Sequence, residues 1–232
     1  MKKVSFVIPT YNCAAFLPHA VRSCQEQTHK NIEIVIVNDC STDTTKQYLD
    51  WLEKNEKRAK IHHNIDNLGR SESRNRGNYI ATGDIICVLD ADDLAIERRA
   101  EWTIRKMKNC QICYGSAVAM DALGNGLKEI PAGPITLEDC VKNKQNGIVH
   151  STMAYTKEIA EKYKYQSGKI SDLGLDDWEM QIRALADGVK FDYIPDVIGA
   201  YRILETAITQ TRNAEEVAKA KEEILEGIKC KA

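Results

Sequence analysis

Over the N-terminal part of the chain, apolar and polar positions follow two rhythms in alternation. Val4–Ile8, Ile32–Val37 and Asp84–Leu89 are short, nearly unbroken apolar runs, the pattern of strands buried on both faces of a parallel sheet. Between them, Ala14–Gln27 carries Phe16, Leu17, Ala20, Val21 and Cys24 at helical spacing, and Thr44–Lys57 puts Tyr48, Leu49 and Leu52 on one face. Ser71–Ala81 reads as a third helix, closed by Thr82-Gly83, and a short strand is expected near Ile61. Strands alternating with helices of this length predict right-handed βαβ units and a mostly parallel sheet flanked by helices, an α/β fold.

Beyond Asp93 the rhythm loosens. Helices are expected at Ile96–Lys108, Thr136–Lys142 and Asp176–Ala186, and strands at Gln111–Ala119, Val149–Tyr155, Lys190–Ile194 and Val197–Arg202. Residues 121–126 are turn chemistry between two short strands. A mixed-charge helix over Asn213–Lys229 carries Val217, Ala220, Ile224, Leu225 and Ile228 as its apolar stripe. The expected organisation is one domain over 1–212 followed by a C-terminal helix over 213–232.

The apolar run at residues 85–89 ends in Asp90-Ala91-Asp92-Asp93. In open α/β sheets ligands bind beyond the carboxyl ends of the strands. Three like charges there repel and raise one another's pKa unless a cation neutralises them. Mg²⁺ or Mn²⁺, which keep coordination positions open for substrate phosphates, suit such a group. The plainer alternative is that Asp92 or Asp93 caps a helix starting near Ile96.

With 232 residues and 43% hydrophobic content, the chain can fill the core of one sizeable domain. A formal net charge of −2 gives no broad basic field and argues against nucleic acid as a partner. Met1-Lys2-Lys3 precedes an apolar segment that stops at Pro9 and Asn12, too soon for the core of a signal peptide. No stretch reaches the about 20 apolar residues of a membrane span. A cytoplasmic protein is expected, with peripheral attachment to the inner face of the membrane and a homodimer both left open. Eight cysteines are scattered along the chain. Cys110-Gln111-Ile112-Cys113 lacks the second pair or histidines of a zinc site, so reduced thiols are expected.

Three more polar clusters follow predicted strands: Pro9-Thr10-Tyr11-Asn12, then Asn38 through Asp43, then Asn67-Leu68-Gly69 with Arg74-Asn75-Arg76-Gly77. In order and residues they resemble family 2 glycosyltransferases, inverting enzymes with the GT-A fold, a Rossmann-like sheet with a small antiparallel acceptor-side extension. Pro9, Tyr11 and Asn12 match the family's opening. Asn38, Asp39, Ser41 and Asp43 match its second-strand signature, with Asn in place of the first Asp. Asp90-Ala91-Asp92 is its DXD motif, and Asp176-Asp177-Trp178-Glu179 stands where its Glu-Asp motif falls, Asp176 replacing the usual Glu. Tyr193-Ile194-Pro195 and Tyr201-Arg202 match the usual sequel. The likeness spans about residues 4 to 209.

The resemblance implies transfer of a sugar from a nucleotide-sugar donor, most simply a UDP-sugar, to a hydroxyl on a carbohydrate or lipid-linked acceptor in polysaccharide or glycoconjugate synthesis. It implies that Pro9, Tyr11, Asn12, Asp39, Asn67, Arg74, Asp90 and Ala91 bind the nucleotide-sugar, that Asp92 with Asp90 holds Mg²⁺ or Mn²⁺, and that Asp177 is the catalytic base. Asp39 can accept from the N3–H of uracil, or cap the helix near Thr44, a task Ser41 or Asp43 could perform equally well; base binding is expected of Asp39 and capping of Asp43. Arg74 can reach base or phosphate, or form a surface ion pair with Glu72 or Asp84. Asp176 and Asp177 also suit the positive end of a helix dipole. Many relatives place a metal-site His two residues after Tyr-Arg, where this chain has Leu204. His150 is set aside as a structural histidine. A nucleotidyltransferase would want a Gly-rich loop after the first strand, which Pro9-Thr10-Tyr11-Asn12 is not. A nucleotide-sugar-binding module without turnover remains the non-enzymatic alternative.

Overall fold

Every residue of Val4–Thr10 (β1) and Ile32–Asn38 (β2) is buried. Their side chains alternate between two cores, since successive residues of a strand point to opposite faces. Phe6, Ile8, Ile34, Ile36 and Cys87 pack on one face with Leu17, Val21, Leu49 and Leu52 from Leu17–Gln25 (α1) and Thr45–Asn55 (α2). Val7, Val35, Ile86 and Val88 face the other side, with Tyr155, Ile159, Met180 and Ala184. The computed structural model that shows this describes residues 1–143, 148–205 and 207–229.

The chain continues through β3 (Ala59–His63), α3 (Arg70–Ile80), β4 (Ile85–Val88), β5 (Leu94–Ala95), α4 (Arg99–Lys106), β6 (Ile112–Met120), β7 (Gly126–Ile130) and α5 (Leu137–Asn143). A 3₁₀ turn at His150–Thr152 leads into β8 (Ala154–Thr156), α6 (Lys157–Lys162), α7 (Lys169–Asp172), α8 (Asp176–Ala186), β9 (Phe191–Arg202), α9 (Ile208–Thr211) and α10 (Ala214–Lys229). The sheet order is β3-β2-β1-β4-β8-β6-β9-β5, with β7 on β6. β1, β2, β3 and β4 pair in parallel, as does β6 with β9, while β8 joins β4 to β6 antiparallel, in line with the expected parallel sheet and antiparallel extension.

Three expectations are corrected. No helix starts near Ile96: residues 94 and 95 pair antiparallel with β9, and α4 begins at Arg99. The strand expected over Val149–Tyr155 is a 3₁₀ turn followed by a shorter strand, because Thr152 Oγ1 turns back onto the Val149 carbonyl at 2.7 Å. The two strands expected around Pro195 are one, β9, which crosses that point by shifting register against Ser116. Ser116 Oγ donates to the Pro195 carbonyl at 2.7 Å.

Two features fix the edges of this frame. Gly77 lets α3 lie directly on β1: a Cβ there would stand 2.5 Å from Val7 Cγ1. At the amino ends of the strands, the buried Glu33 carboxylate takes Lys3 Nζ (2.6 Å), Ser5 Oγ (2.7 Å), Thr82 Oγ1 (2.8 Å) and Lys60 Nζ (2.8 Å). Burial opposes its charge, but these donors hold its pKa far below the ordinary carboxylate range. The C-terminal helix α10 docks by Val217, Ala220, Ile224, Leu225 and Ile228 on residues of α7 and α8, including Trp178 and Ile182. Among the described residues no helix is long and apolar enough to cross a membrane.

Candidate active site

The carboxyl ends of β1, β2 and β4 open into a cleft of about 730 Å³. Its walls include Pro9, Tyr11, Asn12, Asp39, Arg74, Asp90, Ala91 and Asp92 on the sheet side, and Asp176 and Asp177 from the start of α8. Of the residues expected to bind the nucleotide-sugar, hold the cation or act as base, Asn67 alone stands off this lining, on an exposed turn.

That turn serves Asp39. The buried carboxylate accepts from Asn64 Nδ2 (2.8 Å) and the Leu68 amide (2.9 Å) on Oδ1, and from the Gly69 amide (2.8 Å) on Oδ2. Asp39 therefore caps nothing near Thr44. Asp43 does that work, accepting from the Thr45 amide at 2.9 Å and the Ala14 amide at 3.1 Å. A carboxylate has about four acceptor positions, so Asp39 Oδ2 keeps one for a ligand N–H. Asn12, in the left-handed region at φ +48°, joins the two loops through Oδ1, which accepts from the Thr42 amide at 2.7 Å. Tyr11 stands half exposed at the mouth.

The acidic edge is divided by its surroundings. Asp93 is buried and accepts from the Arg202 amide at 2.8 Å and from Ser151 Oγ, tying β4 to β9 and to the 3₁₀ turn. Burial, then the Asp92 and Asp90 charges, push its pKa well above the ordinary value; Asp93 is a buried strut, and the helix that follows is entered from Arg98 instead. Asp90 Oδ1 accepts from Arg74 Nη2 at 2.7 Å. Its burial is outweighed by Arg74 and the other cations, and its pKa stays down at about 2. Asp92 makes no ion pair among the described residues; burial and the neighbouring Asp90 charge push it up to about 6.

Arg74 does not pair with Glu72 or Asp84. It is buried and spans the cleft floor, with Nη2 on Asp90 and Nη1 on Asp176 Oδ2 at 2.8 Å. Its planar fork joins the two walls as a lysine's single ammonium could not. With both arms engaged, it is not free to grip a base or phosphate in this arrangement. Asp176 also accepts from Ser71 Oγ (3.0 Å) and pairs through Oδ1 with Arg70 Nη2 (3.1 Å). Burial works against its charge, but Arg74 and Arg70 hold its pKa below the ordinary value.

Asp177 is half-buried and accepts from the Trp178 amide at 2.7 Å. Burial and the Asp176 charge push its pKa up to about 6. The adjacent acids therefore have opposite fates: Asp176 is a locked anion, Asp177 a carboxylate poised to take a proton near neutral pH. Three further residues line the wall outside the expected site. Arg70 lies in no motif, and His150 is the histidine the sequence sets aside as structural. Arg202, half of the matched Tyr-Arg pair, donates through Nε to the Asp92 carbonyl at 2.8 Å and stacks 4.7 Å from the Phe16 ring. His150 is held neutral, its pKa lowered to about 3 by burial and Arg74. Leu204 also faces the cleft.

Among the described residues no group of three or more His, Cys, Asp or Glu side chains forms a preformed metal cage. The donor set fits a hard divalent cation in another way. Mg²⁺ is commonly held by one or two carboxylates plus substrate phosphates and water. Asp92, an ion-pair-free carboxylate beside a second one, offers that kind of anchor.

The sequence model of glycosyl transferase family 2 matches residues 5–164. The chain belongs to this family. An uncharacterised glycosyltransferase of Methanocaldococcus jannaschii is 32% identical over 207 residues, covering 86% of this chain and 70% of that protein. The amylovoran biosynthesis glycosyltransferase AmsB of Erwinia amylovora is 28% identical over 88% of this chain and 71% of its own length. A putative teichuronic acid biosynthesis glycosyltransferase of Bacillus subtilis, TuaG, is 30% identical, but the chain spans only 57% of it. Among solved structures, S. aureus TarS in complex with UDP-GlcNAc superposes with a TM-score of 0.73 at 17% identity, over 96% of this chain and 66% of that one. A Pyrobaculum calidifontis mannosyltransferase in complex with GDP-Man and Mn²⁺ gives 0.67 at 17% identity, over 89% and 59%. These likenesses establish the GT-A fold of this glycosyltransferase.

Proposed function

We propose that this family 2 glycosyltransferase inverts the anomeric carbon of a UDP-sugar, transferring the sugar to an acceptor hydroxyl with the help of a divalent cation, in polysaccharide or glycoconjugate synthesis. The observation that carries the reading is the pair of facing walls: Asp90 and Asp92 on one, Asp177 on the other, with Arg74 and Asp176 fixed between. Asp39 Oδ2 and the Tyr11 ring suit a uracil base. The Asp90 carboxylate suits the ribose or a cation, and Asp92 suits a cation alone. When bound, that cation would neutralise charge developing on the diphosphate leaving group. Asp177 takes the acceptor hydroxyl proton as the new bond forms on the face opposite the diphosphate. Asp176, kept ionised by two arginines, raises the proton affinity of Asp177 and holds the start of α8 against α3.

A panel of UDP-, GDP- and dTDP-sugars assayed for cation-dependent hydrolysis tests the donor without a known acceptor. Preference for UDP-sugars is expected; equal turnover of all three would defeat the uracil assignment. Calorimetry of UDP with Mn²⁺ and with chelator tests the cation, with much tighter binding expected in Mn²⁺. Asp92→Ala should abolish that difference without loss of fold, since Asp92 contributes no ion pair to stability. Equal affinity with and without chelator in the parent protein would sink the cation reading.

Asp39→Ala is expected to weaken UDP and to flatten its preference over GDP. A site built to hydrogen-bond a base rejects analogues that leave its buried group unpaired. Because Asp39 also orders the turn at residues 64–69, Asp39→Asn is the cleaner variant: it keeps the size and loses an acceptor. Retained uracil preference in both variants would make Asp39 purely structural.

A further inference from the structure

The rim of the cleft beyond Asp177 carries positive charge that the mechanism above does not use. Gly174 lines the cleft there with φ +68°, and the bare backbone is flanked by two guanidinium groups. A Cβ at that position would stand 3.3 Å from Arg212 Nη1 and 3.4 Å from Arg70 Nη2. Arg212 Nη1 donates to the Leu173 carbonyl (3.2 Å) and the Gly174 carbonyl (3.1 Å). Half-buried, it pairs with no carboxylate among the described residues. Arg70 shares Asp176 with Arg74, and its Nε is buried with no partner. From α10, Lys221 Nζ lies 5.1 Å over the ring of Trp178, the residue after the base. Burial and the nearby Arg212 lower its pKa.

Two guanidinium groups, Arg70 on α3 and Arg212 on the segment before α10, thus meet at one rim beside Gly174. Asp176 is already divided between two arginines, and Asp177 must exchange its proton. Like charges held together are unfavourable unless an anion joins them. Carbonyl bonds on one arm of Arg212 fix its plane, and a fixed guanidinium fork matches the oxygens of a phosphate or a carboxylate.

We propose that the acceptor carries an anionic oxygen group, a phosphate or carboxylate, bound beside Gly174 by Arg212 and Arg70 while its hydroxyl faces Asp177. This rests on the reading of Asp177 as the acceptor-side base. The C-terminal segment is then part of the acceptor site, and charge at this rim selects which hydroxyl compounds are accepted.

Calorimetric titration of the protein saturated with UDP and Mn²⁺ tests the proposal, because the nucleotide end is then filled. The probes are glycerol 3-phosphate and glucuronate, with glycerol and glucose as their uncharged counterparts. At least one anion should bind and the neutral compounds should not; which anion binds distinguishes phosphate from carboxylate. Arg212→Ala should weaken that binding about 10–100-fold, the range for a lost hydrogen bond to a charged group. Arg212→Lys should retain part of it. UDP affinity of each variant is read first to show that the fold stands, and Arg212→Gln, which keeps an N–H for the carbonyls, replaces the Ala variant should that one unfold. The proposal is overturned if neither anion binds, if neutral and charged probes bind alike, or if uncharged variants at 212 bind the anion as tightly as the parent. If UDP itself fails to bind, the nucleotide-sugar reading falls, and the same anion titration without UDP still decides the rim.

Discussion

Asp177→Asn is expected to lower sugar transfer about 10²–10⁴-fold, the usual contribution of a positioned base, while UDP affinity stays within a small factor. Asparagine keeps the size of the side chain but cannot accept the proton. In the parent enzyme the rate should fall as pH drops through about 6, because burial and Asp176 raise Asp177 to that value. The Asn variant should lose this acid limb. A stability effect of opposite sign accompanies the loss. A carboxyl with a raised folded pKa favours folding below its unfolded value near 4, and that advantage disappears as pH rises through about 6. At neutral pH the ionised Asp177 is therefore a burden, and the Asn variant should melt at a higher temperature than the parent. Near wild-type transfer by Asp177→Asn would refute the mechanism.

Arg74→Met is expected to be the most destabilising single change in the site, costing about 3–5 kcal/mol, the loss seen when a buried ion pair is broken from one side. Urea unfolding should show it as a lowered midpoint. Asp176 would be left as a buried anion, and Asp90 as a half-buried one, without their shared cation. Asp176 has a depressed pKa, so its contribution is full above the unfolded value near 4 and is lost as pH falls through the folded value. The gap between parent and variant should narrow accordingly in acid. Where enough Arg74→Met or Arg74→Lys protein folds to assay, the acid limb of the rate should move upward in pH for Met, since a cation that favours ionised Asp177 is gone. Asp176→Asn should move it downward, since an anion that disfavours ionisation is gone. Equal shifts in one direction would mean that the two residues act on packing alone.

The sequence made the strands and the polar groups at their ends legible, because both are local. Asp176–Ala186 matches its expected helix end to end, its signal being a continuous run of helix formers behind an acidic first turn. The antiparallel half was harder. Ala154–Thr156 is too short to show a period, and α6 and α7 are each scarcely a turn or two long. Arg74 shows why site geometry escaped. The acids its sequence neighbourhood offers as partners, Glu72 and Asp84, turn elsewhere, to Ser167 and to the Lys3 amide, while Asp176 is 102 residues away. The same limit hid Arg212, whose neighbours at Leu173 and Gly174 are brought there by α9 and α10. Asp93 illustrates a different failure. In a string of three acids all look alike, and only the fold shows that one is a buried strut, one a clamped anion and one free of ion pairs among the described residues.

The knot at Glu33 sits at the end of the strands away from the cleft, and it binds the first strand, the second, the third and the end of α3 into one piece. The loops after β1, β2 and β4 that bear the sheet-side wall of the cleft leave the sheet from the other side. Anchorage and chemistry are thereby assigned to different ends of the same strands. Loops on the working side can be lengthened, shortened or exchanged over evolutionary time without disturbing what keeps the sheet together. The residues proposed for the nucleotide, moreover, all precede residue 93, whereas those proposed for the acceptor, Asp177 and Arg212, come from the second half of the chain, with Arg70 as the exception. A lineage can therefore change its acceptor while keeping its donor, which lets one ancestral scaffold diversify into many linkages.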